Sequence, residues 1–209
     1  AIWAVPEPRI GGRLRLNAYC GLNLAAHALG RAGVPHGWLY AAPDAPDLAA
    51  SLRALARPAT ALPSRARPVQ ATDAAADRVL ESLRGSKITV VGKHPDGFDT
   101  CEYDEKLLFA LAGMRVETVQ LGRLFDKARA MDAARVGAAR AGAAAELEGL
   151  DAVDQEQLDR SFRVFCALED VQQESSAKGL AVRCWPEMFT EYGCAACGPM
   201  AMMNQKQVP

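Results

Sequence analysis

The feature that most constrains the fold of this chain is a series of short apolar runs that end near glycine or proline. These runs alternate with segments of helical periodicity. Residues 1–5 (AIWAV) and 36–41 (HGWLYA) are two such runs, and each is predicted to be a buried strand. Between them, residues 16–32 place apolar side chains three and four positions apart, and Gly33 with Pro35 ends that helix. A strand–helix–strand unit of this kind predicts a parallel sheet.

A second set of alternating segments begins after residue 85. SKITVVG (86–92), MRVETVQL (114–121) and LAVRCW (180–185) are predicted strands. Predicted helices cover residues 46–57, 72–84, 104–112, 122–131, 133–149 and 154–178. Residues 58–70 contain three prolines and no periodicity, which predicts a linker between two parallel α/β units.

Charge and cysteine content exclude several classes of protein. The 24 basic and 25 acidic side chains nearly cancel, which argues against a nucleic-acid or anionic-membrane surface. No run of eighteen apolar residues is present, so no membrane span is predicted. Six cysteines in 209 residues are too few for a disulfide scaffold, and we interpret them as reduced thiols of a cytoplasmic protein.

Loops at the carboxyl ends of parallel strands are where such sheets bind ligands. This rule selects the loops 6–13, 93–99 and 186–199. In the second of these, His94 and Asp96 are candidates for holding a polyol hydroxyl or moving a proton. The alternative is a polar loop that caps the next helix through Asp99 or Thr100. No glycine-rich phosphate motif is present in it.

The end of the last predicted strand carries a second candidate group. Arg183, Trp185 and Glu187 lie within five residues. An indole face stacks on the apolar side of a sugar ring, and a carboxylate accepts hydrogen bonds from its hydroxyls. The alternative is a core tryptophan beside a surface glutamate, and the sequence does not decide between the two.

Cys194 and Cys197 form a CxxC pair, and Cys184 is the nearest further thiol. A second pair, which a zinc site of this type requires, is missing, and the pattern of a thioredoxin-like redox site is also missing. Packing of small side chains is therefore favoured over zinc binding and redox activity, and all three interpretations stay open.

Polar residues in the first predicted helix allow two interpretations. Asn17, Cys20 and Asn23 either face a ligand or cap the helix, and capping is favoured. His27 falls on the apolar stripe of this helix, so we expect a core histidine with a satisfied ring.

Four stretches, in this order, resemble the L-fucose/L-arabinose ketol isomerase superfamily, and they are most similar to its fucose-isomerase-like proteins. They are residues 3–40, VGKHPDGFDTCEYD (91–104), VQLGRLFDKA (119–128) and LAVRCWPEMFTEYGCAACGPMAMMN (180–204). The resemblance implies two Rossmann-like α/β units with parallel sheets, the first incomplete. Residues 1–60 would be the C-terminal part of a first domain, 61–85 a linker and crossover helix, and 86–209 a second domain truncated at its C-terminus.

The resemblance also implies an activity. The superfamily interconverts aldoses and ketoses with a divalent metal, usually Mn²⁺, and assembles as homo-oligomers. The expected partner is thus a small sugar of the L-fucose or L-arabinose type, with His94, Asp96, Arg183, Trp185 and Glu187 in the substrate pocket. An alternative is a sugar-binding or regulatory α/β module without catalysis.

The metal ligands of the superfamily, a Glu, an Asp and a late His, would follow the segment that ends this chain. We therefore expect no catalytic or metal-binding residue within the 209 residues, and an inactive chain when it is isolated from its parent protein. Glu187 is the one acidic residue considered as a metal ligand. The expectation has a chemical reason, since an ene-diol path needs a carboxylate base and a cation beside both sugar oxygens.

Overall fold

A computed structural model of the protein describes residues 1–8, 18–57 and 73–209. These residues divide into two compact units, the first with Ala1–Gln70 and Asp96–Glu102, the second with Ala71–Pro95 and Tyr103–Pro209. None of the described helices has the length and apolar character needed to cross a membrane. The predicted linker 58–70 lies outside the described residues.

The first unit contains a two-stranded parallel sheet. Its elements are β1 (Ile2–Ala4), α1 (Ala18–Arg31), β2 (Trp38–Tyr40), α2 (Leu48–Leu55) and a 3₁₀ turn at Asp99–Cys101. Strands β1 and β2 pair in parallel, with Ile2 opposite Trp38. The predicted strand–helix–strand unit is confirmed, although each strand is shorter than its apolar run. The expectation that both strands are buried is wrong, because Trp3, Trp38 and Tyr40 are 42%, 51% and 42% exposed.

Helix α1 buries only part of its predicted apolar surface. Leu22 is buried, and Ala25 and Leu29 are half-buried beside it. Cys20 and His27 are exposed, so the expectation that His27 is a core histidine is wrong. The physical reason is the mixed composition of this helix, whose alanines let either of two adjacent apolar stripes face the sheet.

The second unit is built on a three-stranded parallel sheet in the order β4-β3-β5. Its strands are β3 (Lys87–Val91), β4 (Arg115–Val119) and β5 (Gly179–Val182). Its helices are α3 (Asp73–Leu83), α4 (Glu105–Ala112), α5 (Leu121–Arg129), α6 (Ala133–Ala144), α7 (Gln155–Ser175), a π-helical turn at Met188–Tyr192 and α8 (Cys197–Gln205). Two small parallel sheets with helices establish the α/β class.

Helix α7 is the centre of the second core. Phe162, Phe165 and Leu168, spaced three residues apart, are buried, and Val164 and Ala167 on adjoining faces are also buried. The helix packs against α5, α6 and α8, so its middle turns have little contact with water. Burial on several faces explains why its apolar residues extend beyond one stripe.

The C-terminal part of the chain differs most from the sequence prediction. The segment 186–199 was expected to be a loop, but it forms the π-helical turn and the start of α8. Helix α7 ends at Ser175, its C-cap Ser176 has a φ of 52°, and Gly179 already belongs to β5. The residues after α8 return to the sheet, where the amide of Leu180 donates to the carbonyl of Pro209 at 2.7 Å.

One helix falls in a different part of the structure from the one that the predicted domain boundaries give it. Helix α3 belongs to the second unit, whereas residues 61–85 were expected to be a linker and crossover helix. The division into 1–60, 61–85 and 86–209, as pieces of two larger domains, stays a prediction.

Candidate functional site

The candidate site lies at the carboxyl ends of β3 and β5, which are neighbours in the sheet. Val91 is the register partner of Val182, and the amide of Arg183 donates to the carbonyl of Val91 at 2.9 Å. The sheet rule therefore places the residues that follow both strands at one edge.

Gly92 allows the two strand ends to approach closely. It has a φ of 78°, and a Cβ at this position would lie 2.9 Å from the Cβ of Arg183. Both the left-handed backbone and the short distance exclude a larger side chain without local rearrangement. The glycine that ends the predicted strand 86–92 thus has a structural role in the site.

Arg183 joins three parts of this edge. Its Nε donates to Glu187 Oε2 at 2.7 Å, and its second amino group contacts Glu187 Oε1. The remaining amino group donates to the carbonyl of Lys93 at 2.9 Å. The side chain of Arg183 therefore fixes the loop after β3 to the turn after β5, and it presents no fully unoccupied amino group to a ligand.

The carboxylate of Glu187 is only partly used by this contact. Its side chain is 23% exposed, and each of its two oxygens accepts from Arg183. A carboxylate oxygen has two lone pairs, so each can accept one further hydrogen bond from a sugar hydroxyl. As a metal ligand Glu187 is poorly placed, because both oxygens already face a cation.

Trp185 lies on the surface of this edge. Its side chain is 44% exposed, and its ring centroid is 5.6 Å from that of Phe189, with the planes at 60°. The alternative of a core tryptophan is therefore wrong. The two rings form a partly exposed aromatic surface of the kind on which the apolar face of a sugar can stack.

The loop after β3 is divided between the two units. Lys93 and His94 belong to the second unit, where His94 is half-buried and Lys93 is exposed. Asp96 is exposed and belongs to the first unit, so its predicted place in the pocket stays a prediction. The structure thus brings Arg183 and Glu187 together, and connects them to the His94 loop through Lys93.

The capping alternative for this loop named the wrong residues. Helix α4 is capped by Asp104, whose Oδ1 accepts from the amides of Lys106 at 2.8 Å and Leu107 at 3.1 Å. Asp99 instead begins the 3₁₀ turn. The preference of α4 for Asp104 follows from position, because an N-cap lies immediately before the first helical residue.

Within the described ranges 1–8, 18–57 and 73–209, no group of three or more His, Cys, Asp or Glu side chains is arranged to hold a metal ion. The described residues therefore do not fit a manganese site, and no chemical step through a metal is assigned to them. The zinc interpretation of the CxxC pair fails on the same observation.

The CxxC pair is split between core and surface. Cys194 and Ala196 are 2% and 4% exposed, whereas Cys197 is exposed. Burial raises the pKa of Cys194 to about 11, against a hydrogen bond with Ser161 that lowers it. The favoured interpretation, packing of small side chains, is correct for Cys194 and Ala196 but wrong for the exposed Cys197.

Sequence reasoning did not identify two contributors to the site. The first is Phe189, whose ring packs on that of Trp185, four residues earlier in the chain. The second is the carbonyl of Lys93, which accepts a hydrogen bond from Arg183. The spacing of the two aromatics would have indicated a helical turn, had 186–199 not been interpreted as a loop. No sequence pattern indicates the hydrogen bond between Arg183 and the carbonyl of Lys93, because every residue has a backbone carbonyl.

Three curated proteins are similar to this chain over almost its whole length. It is 28% identical over 207 residues to the sulfoquinovose isomerase of Alkalicoccus urumqiensis, covering 99% of this chain and 42% of that protein. It is 27% identical over 209 residues to that of Clostridium sp. strain MSTE9, covering 99% and 43%. The enzyme of Priestia aryabhattai is 26% identical over 204 residues, covering 98% and 42%.

The chain therefore spans less than half the length of the curated relatives that it matches. No protein-family profile matches it. The relatives are named as isomerases of a sugar, and none of the three is named as an isomerase of L-fucose or L-arabinose.

Proposed function

We propose that this chain is part of a sugar isomerase of the aldose–ketose type, and that it contributes the strand-end surface on which the sugar binds. The observation that carries the proposal is the 28% identity with a sulfoquinovose isomerase over 99% of the chain. Continuous similarity of this extent includes the segments that carry Lys93, Arg183 and Glu187.

The geometry of the second unit supports a role in binding more than a role in bond breaking. Trp185 and Phe189 offer an aromatic surface, and Glu187 offers lone pairs to hydroxyls. His94 is the candidate for a hydroxyl contact from the neighbouring loop. Arg183 acts as a positioning residue, because its donors hold Glu187 and Lys93 in place.

Asp96 completes the proposed set of sugar ligands on the strength of the family resemblance alone. We also propose that the chemistry requires Mn²⁺, with the metal ligands and the base in other parts of the parent protein. Moving hydrogen between C1 and C2 through an ene-diol needs a base beside the carbon and a group that stabilises the charge developing on the oxygens, which a divalent metal would supply. The parent is further proposed to be a cytoplasmic homo-oligomer, and the six cysteines, all of them among the described residues and none in a disulfide, are compatible with that compartment.

The choice of sugar follows the relatives. We propose sulfoquinovose as the first substrate to test, ahead of L-fucose and L-arabinose, because sulfoquinovose is the sugar in the names of the relatives. L-Fucose and L-arabinose remain in the test because the resemblance of the four sequence stretches implies them.

The experiment compares two proteins, the 209-residue chain and the product of its gene extended past Pro209. Each is supplied with Mn²⁺ and with sulfoquinovose, L-fucose or L-arabinose, and ketose formation is measured. The proposal expects turnover only by the extended protein. Turnover by the 209-residue chain would overturn the placement of the metal ligands and would make Glu187 the leading candidate among them.

The alternative, a sugar-binding module without catalysis, predicts a different result. Neither protein would then convert any of the three sugars, although the chain would still bind one of them in a calorimetric titration. That outcome would overturn the isomerase proposal while retaining the binding surface.

A further inference from the structure

Strand β5 lies at an edge of the described three-stranded sheet, where β3 is its neighbour. The amide of Arg183 donates to the carbonyl of Val91 in β3, whereas the amide of Leu180 donates to the carbonyl of Pro209 at 2.7 Å. Successive amides of a strand point to opposite sides, so the amide of Val182 points away from β3, as that of Leu180 does. The outer edge of β5 therefore presents backbone groups on the side where Pro209 lies.

Pro209 occupies the position at which a further parallel strand would begin. Its carbonyl oxygen accepts from Leu180 and would lie 3.2 Å from a Cβ at Gly179, so it is beside the amino-terminal half of β5. Helix α8 (Cys197–Gln205) follows the turn at the carboxyl end of β5, and the chain then returns to the amino end of the strand. This is the path of a crossover between parallel strands. Proline is tolerated as the first residue of a strand.

Helix α8 also lies on the face of the sheet that the usual handedness requires. The chain passes from β4 across β3 to β5, and a strand beyond β5 would continue in that direction. The connection from β4 to β5 contains α7, and α8 packs against α7 in the buried cluster that includes Leu180. Two connections that advance in one direction with their helices on one face have the same hand, and crossovers between parallel strands are almost always right-handed.

We propose that the outer edge of β5 binds the segment of the parent chain that follows Pro209, as a fourth strand parallel to β5. In this register the second residue after Pro209 donates its amide to the carbonyl of Leu180, and its carbonyl accepts the amide of Val182. The chain covers 42% of the Alkalicoccus urumqiensis relative, so a parent protein of that length has residues for this strand. The inference rests on the proposed function only in taking the chain as part of a longer protein.

A second copy of this chain is the competing occupant, because an unpaired strand edge can pair with the edge of another molecule. The segment after Pro209 has the advantage of attachment. Its first residue is already held against Leu180, so it meets the remaining edge at a high effective concentration.

A strand in this register would end at the carboxyl edge of the sheet, beside the turn that carries Trp185 and Glu187. The residues that follow it would then lie at the edge where parallel sheets bind ligands. The new strand would thus bring a further part of the parent chain to the candidate site.

The test compares hydrogen exchange of single backbone amides, measured by nuclear magnetic resonance, in the 209-residue chain and in the protein extended past Pro209. We expect the amide of Val182 to exchange at least about tenfold more slowly in the extended protein. The matched control is Val116 of the other edge strand, β4, because the amide of Arg115 donates to β3 and that of Val116 points away. Exchange of Val182 that is unchanged, or slowed no more than that of Val116, would overturn the proposal.

A variant of the extended protein identifies the occupant. A proline in place of the second residue after Pro209 removes the amide that donates to Leu180, and it should speed the exchange of Val182 about tenfold. Val116→Pro, at the outer edge of β4, should leave that exchange unchanged. Protection of Val182 that survives the first proline would show that another segment covers the edge, and it would overturn the proposal.

This second comparison uses the extended protein alone, so it is decisive even where the 209-residue chain does not fold. Hydrogen exchange requires neither a sugar nor a metal. Its outcome is therefore separate from that of the isomerase assay, and a protected Val182 in a protein that forms no ketose would count against the proposed function alone.

Discussion

The guanidinium of Arg183 binds both carboxylate oxygens of Glu187, one helical turn later in the chain, while its remaining amino group donates to the carbonyl of Lys93. The two side chains are 22% and 23% exposed, so this ion pair is shielded from water more than a surface pair. A single side chain thereby fixes the ends of two adjacent strands.

We expect Arg183→Met to destabilise the second unit by about 2 kcal/mol, because the change leaves Glu187 partly buried without its hydrogen-bonded cation. Urea denaturation measures the effect. Arg123→Met is the matched control, since Arg123 is 71% exposed in a long contact with Glu174, and it should change stability by less than about 0.5 kcal/mol. Equal effects of the two changes would contradict the structural role of Arg183.

Trp185→Ala should weaken sugar binding roughly tenfold while leaving the fold intact, because the indole is 44% exposed and its loss removes little buried surface. Calorimetric titration of the active sugar measures the affinity. Trp38→Ala removes an indole that is 51% exposed in the first unit, and it should leave binding unchanged. Unchanged affinity in Trp185→Ala would remove this residue from the pocket.

Thr89 lies in the middle of β3, fully buried, and its hydroxyl has no hydrogen-bond partner within the described part of the chain. Thr89→Val keeps the shape of the side chain and removes the unpaired group, so we expect a gain in stability of about 1 kcal/mol. The same change at Thr118, exposed on β4, should have an effect below about 0.5 kcal/mol. A loss of stability in Thr89→Val would show that its hydroxyl is paired.

Stability should fall as the pH rises from about 9 to about 12, because burial raises the pKa of Cys194 to about 11 and of Tyr192 to about 12. Both groups are neutral when protonated. Over this range the unfolded chain loses protons that the folded chain retains, so alkaline pH favours unfolding.

Cys194→Ala should remove the part of this alkaline loss in the free energy of unfolding that the cysteine causes, on the order of 2 kcal/mol. Denaturation midpoints measured across the pH range test this. Cys101→Ser, at an exposed thiol, should keep the original profile. An unchanged profile in Cys194→Ala would contradict the assignment.

Strands and helices could be predicted from the sequence wherever a glycine or proline marks the end of the element. The β-branched run before Gly92 and the stop at Gly113, with a φ of 62°, mark their elements closely. Within α1 the burial of His27 was predicted wrongly, because the alanines of this helix give only a weak preference for the face that is buried. His36 belongs to the run 36–41 that was predicted to be a buried strand; it is 6% exposed and hydrogen-bonded through Nδ1 to the carbonyl of Val34, but it precedes β2.

The candidate site was predictable in its place but not in its contacts. The rule for parallel strands located the edge that carries Arg183 and Trp185. It did not show that Arg183 would pair with Glu187 four residues later, because the π-helical turn that begins directly after Glu187 was interpreted as a loop. Residue type indicates what a side chain can bind, whereas its actual partner depends on local backbone geometry.

The most direct test of whether the chain is part of a sugar isomerase uses the protein extended past Pro209. Its conversion of sulfoquinovose into a ketose is monitored by nuclear magnetic resonance with Mn²⁺ present. We expect conversion by the extended protein and a clear reduction of that conversion by Trp185→Ala but not by Trp38→Ala. Absence of conversion of sulfoquinovose, L-fucose and L-arabinose by a folded extended protein would contradict it.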